Sequence, residues 1–152
     1  MSMLNTFDQA TTKKTLERLD KLSNTTKPQW GKMNSAQMLA HLSVAYDLAY
    51  GNTQSKVNPF AKLMLKLFVK NIVVSETPYK RNSRTAPDFV IADERNFETE
   101  KERLTAHIKD TEAKGTAFFE GRKSSSFGVM TSKEWSNQFY KHLDHHFTQF
   151  GV

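Results

Sequence analysis

Residues 131–151, TSKEWSNQFYKHLDHHFTQFG, carry the clearest helical signal in this chain of 152 residues. Thr131 and Glu134 have the spacing of a capping box, in which each side chain bonds the other residue's backbone N–H. This pair predicts a helix that starts at Thr131 and runs to about Gln149. Gly151 stands just past that end, where a glycine commonly stops a helix.

One face of this predicted helix combines aromatic residues with two histidines. At 100° per residue, His142 and His146 lie at the centre of an apolar stripe, one turn apart. The stripe also contains Trp135, Phe139 and Phe150. Both imidazoles therefore point toward the expected core, where two histidines four residues apart can reach a single metal ion.

A third histidine is needed, because a catalytic metal site typically takes three protein ligands and keeps one position open. His41 is the candidate, since it lies on the apolar face of a second helix predicted between Asn34 and Gly51. Metal sites in helical bundles are built in this way, from inward side chains on facing helices. The alternative is that the histidines are ordinary core residues, in which case every unpaired buried nitrogen costs ~1–3 kcal/mol.

Helical periodicity also dominates the rest of the chain. The predicted helices cover residues 6–23, 34–51, 58–73, 93–115 and 131–149, with a long irregular stretch at 75–93 and a short extended piece at 89–91. We expect an all-α fold with a single domain over residues 1–152. Its architecture would be a four-helix bundle with an extra helix and a long loop between the second and fourth helical segments. A loop of this length often has a function, and it could cover the site as a lid.

Composition excludes several classes of function. The chain has no cysteine, which rules out a disulfide scaffold, a cysteine nucleophile and a thiolate metal site. Its net charge is +6, but acidic and basic residues are interspersed, so we expect no nucleic-acid partner. The N-terminal residues show no signal-peptide pattern, and lysines break the longest apolar stretch. We therefore predict a cytoplasmic protein without a membrane span.

Other residues near the predicted site leave alternatives open. His145 falls at the edge of the apolar stripe, where it could be a fourth ligand, support the ligands or face solvent. Tyr140 and Tyr46 are candidate hydrogen-bond donors close to the site, although such tyrosines are more often boundary aromatics. His107 stands among charged neighbours and is expected at the surface. Asp47 is expected to point away from the site, and the orientation of Glu100 is open.

The helix at residues 59–73 supports a competing function. Lys62, Lys66 and Lys70 repeat every four residues beside large apolar side chains, a pattern also found in helices that lie on membrane surfaces. We favour a core helix with a solvated row of lysines, and keep a peripheral membrane-surface protein as the alternative. A bundle that binds a metal or ligand without catalysis is another.

Two passages resemble a known family. Residues 30–41, WGKMNSAQMLAH, and residues 142–151, HLDHHFTQFG, are similar to the DinB-like superfamily, and the layout extends this over nearly the whole chain. More narrowly, they resemble an uncharacterised branch that ends in the same HLDHH…QFG motif. The resemblance implies a four-helix bundle with a three-histidine metal site at His41, His142 and His146. That branch often carries a His-Pro pair before the Phe-Gly dipeptide, where this chain has Ser124 and Ser125.

The same resemblance implies a metal-dependent activity. Relatives bind nickel, zinc or similar divalent ions, so we expect nickel or zinc, with manganese or iron as alternatives. Several relatives are transferases or isomerases that use a low-molecular-weight thiol, and others are suggested to be hydrolases. The expected function is therefore a divalent-metal-dependent hydrolase or thiol S-transferase that acts on a small molecule. Dimers are common in the family, which implies a homodimer.

Overall fold

The computed structural model describes residues 3–152 and is mostly helical. Residues 1 and 2, which the predicted single domain includes, lie outside the described residues. The helices are α1 (Gln9–Asp20), α2 (Ser35–Tyr50), α3 (Pro59–Met64), α4 (Lys70–Val74), α5 (Phe97–Phe119) and α6 (Ser132–Gln149). A π-helical segment, Leu65–Val69, joins α3 to α4, and a 3₁₀ turn covers Pro87–Phe89. Strands β1 (Lys123–Ser124) and β2 (Gly128–Val129) form a short antiparallel hairpin that the sequence did not predict.

The helices that carry the histidines begin with the predicted caps. Before α2, Asn34 accepts a hydrogen bond from the backbone N–H of Gln37, and the Gln37 side chain accepts one from that of Asn34. Thr131 and Glu134 make the same reciprocal pair before α6. Gly51 ends α2 in the left-handed conformation, with φ 76°. These local bonds satisfy backbone groups that a helix end leaves unpaired, so they fix where the helices start and stop.

Several predicted elements differ from the structure, among them the helix expected at 93–115, which lies at Phe97–Phe119. Helix α1, Gln9–Asp20, is shorter than the expected 6–23, and the backbone N–H of Thr6 before it donates to Ser136 on α6. The extended piece expected at 89–91 is wrong for Phe89, which ends the 3₁₀ turn that begins at Pro87. Proline fixes φ near the helical value and therefore favours such a turn at its own position.

A single hydrophobic core includes buried side chains from most of these helices. Leu19 of α1, Leu42 of α2, Leu104 of α5 and Phe139 of α6 are all nearly inaccessible to solvent. Tyr46 stacks on Phe139 with ring centroids 4.5 Å apart and planes 2° apart. The all-α prediction is therefore correct at the level of a mostly helical fold, and the four-helix bundle stays a prediction.

A polar cluster joins α2 to α5 on the far side of Tyr46. The buried carboxylate of Asp47 pairs with Arg103, and its other oxygen lies 3.2 Å from Nε2 of His107. Glu100, also buried, pairs with Arg95 and Arg103. His107 is thus half-buried between the helices, and the expectation of a surface histidine is wrong. Both carboxylates have partners within the cluster.

The segment 59–74 contradicts the interpretation as a core helix with a solvated row of lysines. Its inner side chains, Leu65, Val69 and Val73, pack against the core, but several large apolar side chains on it face outward. Within residues 3–152, no helix combines the length and the apolar character that crossing a bilayer requires.

Lys141 on α6 is a charged residue that is almost completely buried. The residue is 2% exposed. Its ammonium donates to the carbonyl oxygens of Ile72, Ser75 and Thr77 at 2.6, 2.7 and 2.9 Å. Burial lowers the pKa of Lys141 to about 8, which still leaves the ammonium as the main form at pH 7. This one side chain therefore ties the end of α4 and the start of the following loop to α6.

Replacing Lys141 with methionine should destabilise the protein. Lys141→Met keeps the apolar stem but leaves the three carbonyl oxygens without their donor, so we expect the free energy of unfolding to fall by about 2 kcal/mol. Urea unfolding followed by circular dichroism measures this change. Lys133→Met, on the same helix but exposed, is the matched control and should change stability little. Equal stability of the two variants would contradict the role of Lys141.

Candidate metal centre

Helices α2 and α6 bring His41, His142 and His146 together. Ring centroids of the three imidazoles lie 4.5 to 5.0 Å apart. One ring nitrogen of each lies within 4.8 Å of the others, and the Nε2 atoms of His41 and His142 are 2.8 Å apart. His41 and His146 are buried, and His142 is half-buried. The three histidines selected by helical periodicity therefore form one cluster that could hold a metal ion.

A backbone carbonyl fixes the proton on His41. Its Nδ1 lies 2.8 Å from the carbonyl oxygen of Phe89. Because a carbonyl oxygen can only accept, Nδ1 must carry the proton, and in the neutral ring Nε2 then presents a lone pair. That lone pair points at the other histidines, since Nε2 is the atom in contact with His142.

A chain of two hydrogen bonds fixes the proton on His146 in the same way. The side-chain amide of Gln149 donates to the carbonyl oxygen of Trp30 at 2.7 Å, which orients its own oxygen toward the ring. This oxygen lies 2.7 Å from Nδ1 of His146 and can only accept, so Nδ1 carries the proton. Nε2 of His146 is therefore free to bind a cation. Such partners on the outer nitrogen typically orient histidine ligands in metal sites.

Gly31 permits this arrangement. The residue has φ 84°, a conformation that suits glycine, and a Cβ at this position would lie only 2.5 Å from Nε2 of Gln149. Any larger residue at Gly31 would thus displace the amide that orients His146. The pair Trp30-Gly31, which precedes α2, is therefore a structural support of the cluster.

All three imidazoles are neutral at physiological pH. Burial, reinforced by the neighbouring His41, lowers the pKa of His146 to about 3. Burial also lowers the pKa of His142 well below its usual value, with added repulsion from His41 and His146. The pKa of His41 is lowered by burial as well, and its bond to Phe89 opposes that shift. The neutral imidazole is the form in which histidine binds metals.

These features fit a divalent ion. Nitrogens around a tetrahedral ion lie ~3.4 Å apart when each bond is 2.0–2.1 Å. The observed separations, 2.8 Å for the closest pair and within 4.8 Å for the set, bracket that value.

The loop 75–93 covers one side of the cluster. The Phe89 ring packs edge-on against His41 and His142, with centroids 5.5 and 5.6 Å away. Lys141 holds the start of the same loop through Ser75 and Thr77. The loop is thus attached at one end by a buried ammonium and meets the cluster through one aromatic residue.

His145 lies beside the cluster without joining it. Its ring is edge-on to His146, with centroids 5.0 Å apart, and also contacts Trp30 and Tyr79. His145, Trp30 and Tyr79 line a cavity of about 140 Å³. Arg81 also lines it, and its guanidinium stacks over Trp30. Among residues 3–152, the group of close ligand atoms contains only the other three histidines. The position suits a residue that supports His146 and faces a small cavity.

The remaining candidates lie elsewhere. Tyr140 is two residues before His142, which places it about 160° away around α6. Its charged neighbours are Asp144 and Arg18. Tyr46 is buried between His107 and Phe139, and burial raises its pKa.

The serine pair does not replace a ligand at the cluster either. Ser124 is buried in the hairpin, where its hydroxyl accepts the backbone N–H groups of Ser126 and Phe127. These bonds shape the turn between β1 and β2. Its role there is local.

Sequence reasoning missed Phe89 and Gln149. Phe89 acts through its backbone carbonyl. Every residue has such a carbonyl, so the residue type does not reveal this role. Gln149 does leave a signal, because it stands three residues after His146 and so shares a helix face with it.

Metal-free protein should lose stability in mild acid. An unfolded histidine takes up a proton below about pH 6.5, whereas folded His146 resists protonation down to about 3. The unfolded state then binds more protons, so the free energy of unfolding falls as the pH drops below 6.5. For His146 alone, the loss is about 2 kcal/mol at pH ~5.

Urea unfolding in the presence of a chelator, at pH ~7.5 and ~5, measures this loss. His146→Gln should show a drop between the two pH values that is about 2 kcal/mol smaller than the wild-type drop. Equal drops in the two proteins would contradict a buried neutral imidazole at this position.

Comparison with known proteins identifies the family. A family model with the description "Protein of unknown function (DUF1569)" matches residues 2–151. No curated protein and no solved structure gives a significant match. The family match includes both helices of the histidine cluster, the covering loop and Gln149. The chain therefore belongs to the DUF1569 family, whose function is unknown.

Proposed function

We propose that His41, His142 and His146 bind one divalent metal ion, and that the protein is a metal-dependent enzyme that acts on a small molecule. The observation that carries this proposal is the set of three neutral, converging imidazoles, two of which have their outer N–H fixed by Phe89 and Gln149. Core histidines without a metal need partners for both nitrogens. Among residues 3–152, the inner nitrogens of His41 and His142 bond each other and no other group.

The protein positions the three histidine ligands and keeps water away from one side of the cluster. When bound, a divalent ion held by three neutral ligands keeps its full charge and favours the deprotonated form of a water or thiol nucleophile. Phe89 covers one side of the cluster, and Lys141 holds the loop that carries it. The buried carboxylates of Asp47 and Glu100 are paired with arginines, so neither serves as a base at this site.

Hydrolysis and thiol transfer both suit this site. The chain has no cysteine, so in a transfer reaction the thiol must come from a second, low-molecular-weight substrate. Imidazole ligands do not discriminate well among nickel, copper and zinc. We expect nickel or zinc from the resemblance to DinB-like proteins, with manganese or iron as alternatives. The DinB-like bundle is part of the same proposal, supported by one ligand on α2 and two on α6.

Metal content tests the site directly. Mass spectrometry on protein without a histidine tag should find about one divalent ion per chain. His41→Ala and His146→Ala should lose it while retaining helical circular dichroism. His107→Gln is the matched control, because it alters a half-buried histidine outside the cluster, and it should keep the metal.

Absence of metal in the wild type, even after addition of nickel, zinc or manganese, would contradict the site. Turnover is tested separately with a thiol plus an electrophile, and with ester substrates. Loss of turnover in His41→Ala supports the enzyme. Bound metal without turnover on either substrate class would favour a metal-binding protein without catalysis.

Gln149 should tune metal affinity without contacting the ion. Gln149→Ala removes the acceptor that holds the His146 ring in place, so we expect the dissociation constant for zinc to rise about 10–100-fold. Competition with a chromogenic chelator measures that constant. Thr148→Ala, an exposed neighbour on the same helix, should bind zinc like the wild type. An unchanged constant in Gln149→Ala would show that the amide does not orient the ligand.

A further inference from the structure

The segment 59–74 displays an unusual amount of apolar surface. Five of its large side chains are each between 50 and 72% exposed, namely Phe60, Leu63, Leu67, Phe68 and Ile72. No residue of α3 or of the π-helical segment is buried. Contiguous apolar surface of this kind on a soluble domain commonly marks an interaction site.

The exposed face is not needed by the core. Leu65, Val69 and Val73 recur every four residues and pack against the core from the inner side of the segment. The exposed side chains form a second apolar stripe on the outer side. Val129 on strand β2, 66% exposed, continues this surface, because Lys70 donates to its carbonyl oxygen and holds the hairpin beside the segment.

Lysines border the outer stripe. Lys56, Lys62, Lys66 and Lys70 are the only charged residues between positions 54 and 75, so this part of the chain has four positive charges and no negative one. Lys70 pairs with Glu134. Within residues 3–152, no acidic group pairs with Lys62 or Lys66. Lys62 and Lys66 are therefore cations beside the apolar stripe whose charge no local acidic group neutralises.

We propose that the outer face of segment 59–74 binds the surface of an anionic lipid bilayer. Interfacial helices bury a short apolar face at the boundary of the acyl chains and place lysines among the headgroups. Each lysine near an anionic surface strengthens binding about fivefold. This inference is independent of the metal site and goes beyond the proposed enzyme function.

Charge favours a bilayer over a second copy of the chain. In a symmetric dimer through this face, the same patch meets itself, so the lysines of both copies come together. No acidic residue between 54 and 75 could pair with them. An anionic membrane provides both an apolar interior for the exposed side chains and negative charge for the lysines.

Vesicle sedimentation with the full chain tests the proposal. We expect the wild type to sediment with vesicles of phosphatidylcholine containing about one-third phosphatidylserine, and to bind several-fold more weakly at high salt. Phe60→Ser combined with Phe68→Ser should reduce binding roughly tenfold or more. Lys62→Gln should weaken it about fivefold on anionic vesicles.

A matched control distinguishes binding through this surface from nonspecific hydrophobic binding. Val90→Ser alters an apolar side chain that is 60% exposed but lies outside the segment, and it should bind like the wild type. Both serine variants change exposed residues, so their circular dichroism should match that of the wild type. Failure of the wild type to bind anionic vesicles, or equal binding by the double variant, would overturn the proposal.

Analytical ultracentrifugation distinguishes a lipid bilayer from a second copy of the chain as the partner of this face. A bilayer-binding face predicts that the double variant and the wild type have the same association state in the absence of lipid. A wild-type dimer that the Phe60→Ser and Phe68→Ser changes convert to a monomer would assign the face to a second copy and overturn the membrane proposal.

Discussion

Three imidazoles in the interior of a helical domain need an acceptor for every N–H that water can no longer reach. Two segments that lie beside the cluster provide or orient these acceptors. The loop 75–93 comes back over α2 so that the carbonyl of Phe89 meets His41, and the chain before α2 lies against the end of α6 so that Trp30 can orient Gln149. Both acceptors bind outer nitrogens. The inner nitrogens are consequently directed toward one another, which is the arrangement that a cation can use.

Lys141 and His142 are consecutive residues that serve different parts of the structure. His142 faces the cluster, while Lys141 lies about 100° further around α6 and donates to three carbonyl oxygens from residues 72–77. A buried ammonium is tolerated here because all three of its protons are donated. The same helical turn thus holds both the histidine cluster and the beginning of the loop that covers it, so a shift of α6 would affect the two together.

Some features could be predicted from sequence because their causes are local. The capping pairs at Asn34 and Thr131 join residues three apart, and helical periodicity alone places His142 and His146 on one face. Other features depend on distant backbone groups, which leave no trace in residue type. The carbonyl of Phe89 and the burial of Lys141 belong to this class. The prediction for segment 59–74 was wrong for a third reason. This segment has apolar stripes on two sides, and periodicity does not show which stripe packs against the core.

The contact between Gly31 and Gln149 joins two positions that are far apart in the chain. A relative with any side chain at position 31 has no room for the glutamine amide beside the Trp30 carbonyl, so it must orient its histidine with a different acceptor. Conversely, loss of the glutamine removes one of the two reasons for a glycine there, and the positive φ is the other. The two residues should consequently vary as a pair across the family, and a Trp-Gly dipeptide accompanied by the C-terminal glutamine would distinguish members that hold His146 in this way from those that do not.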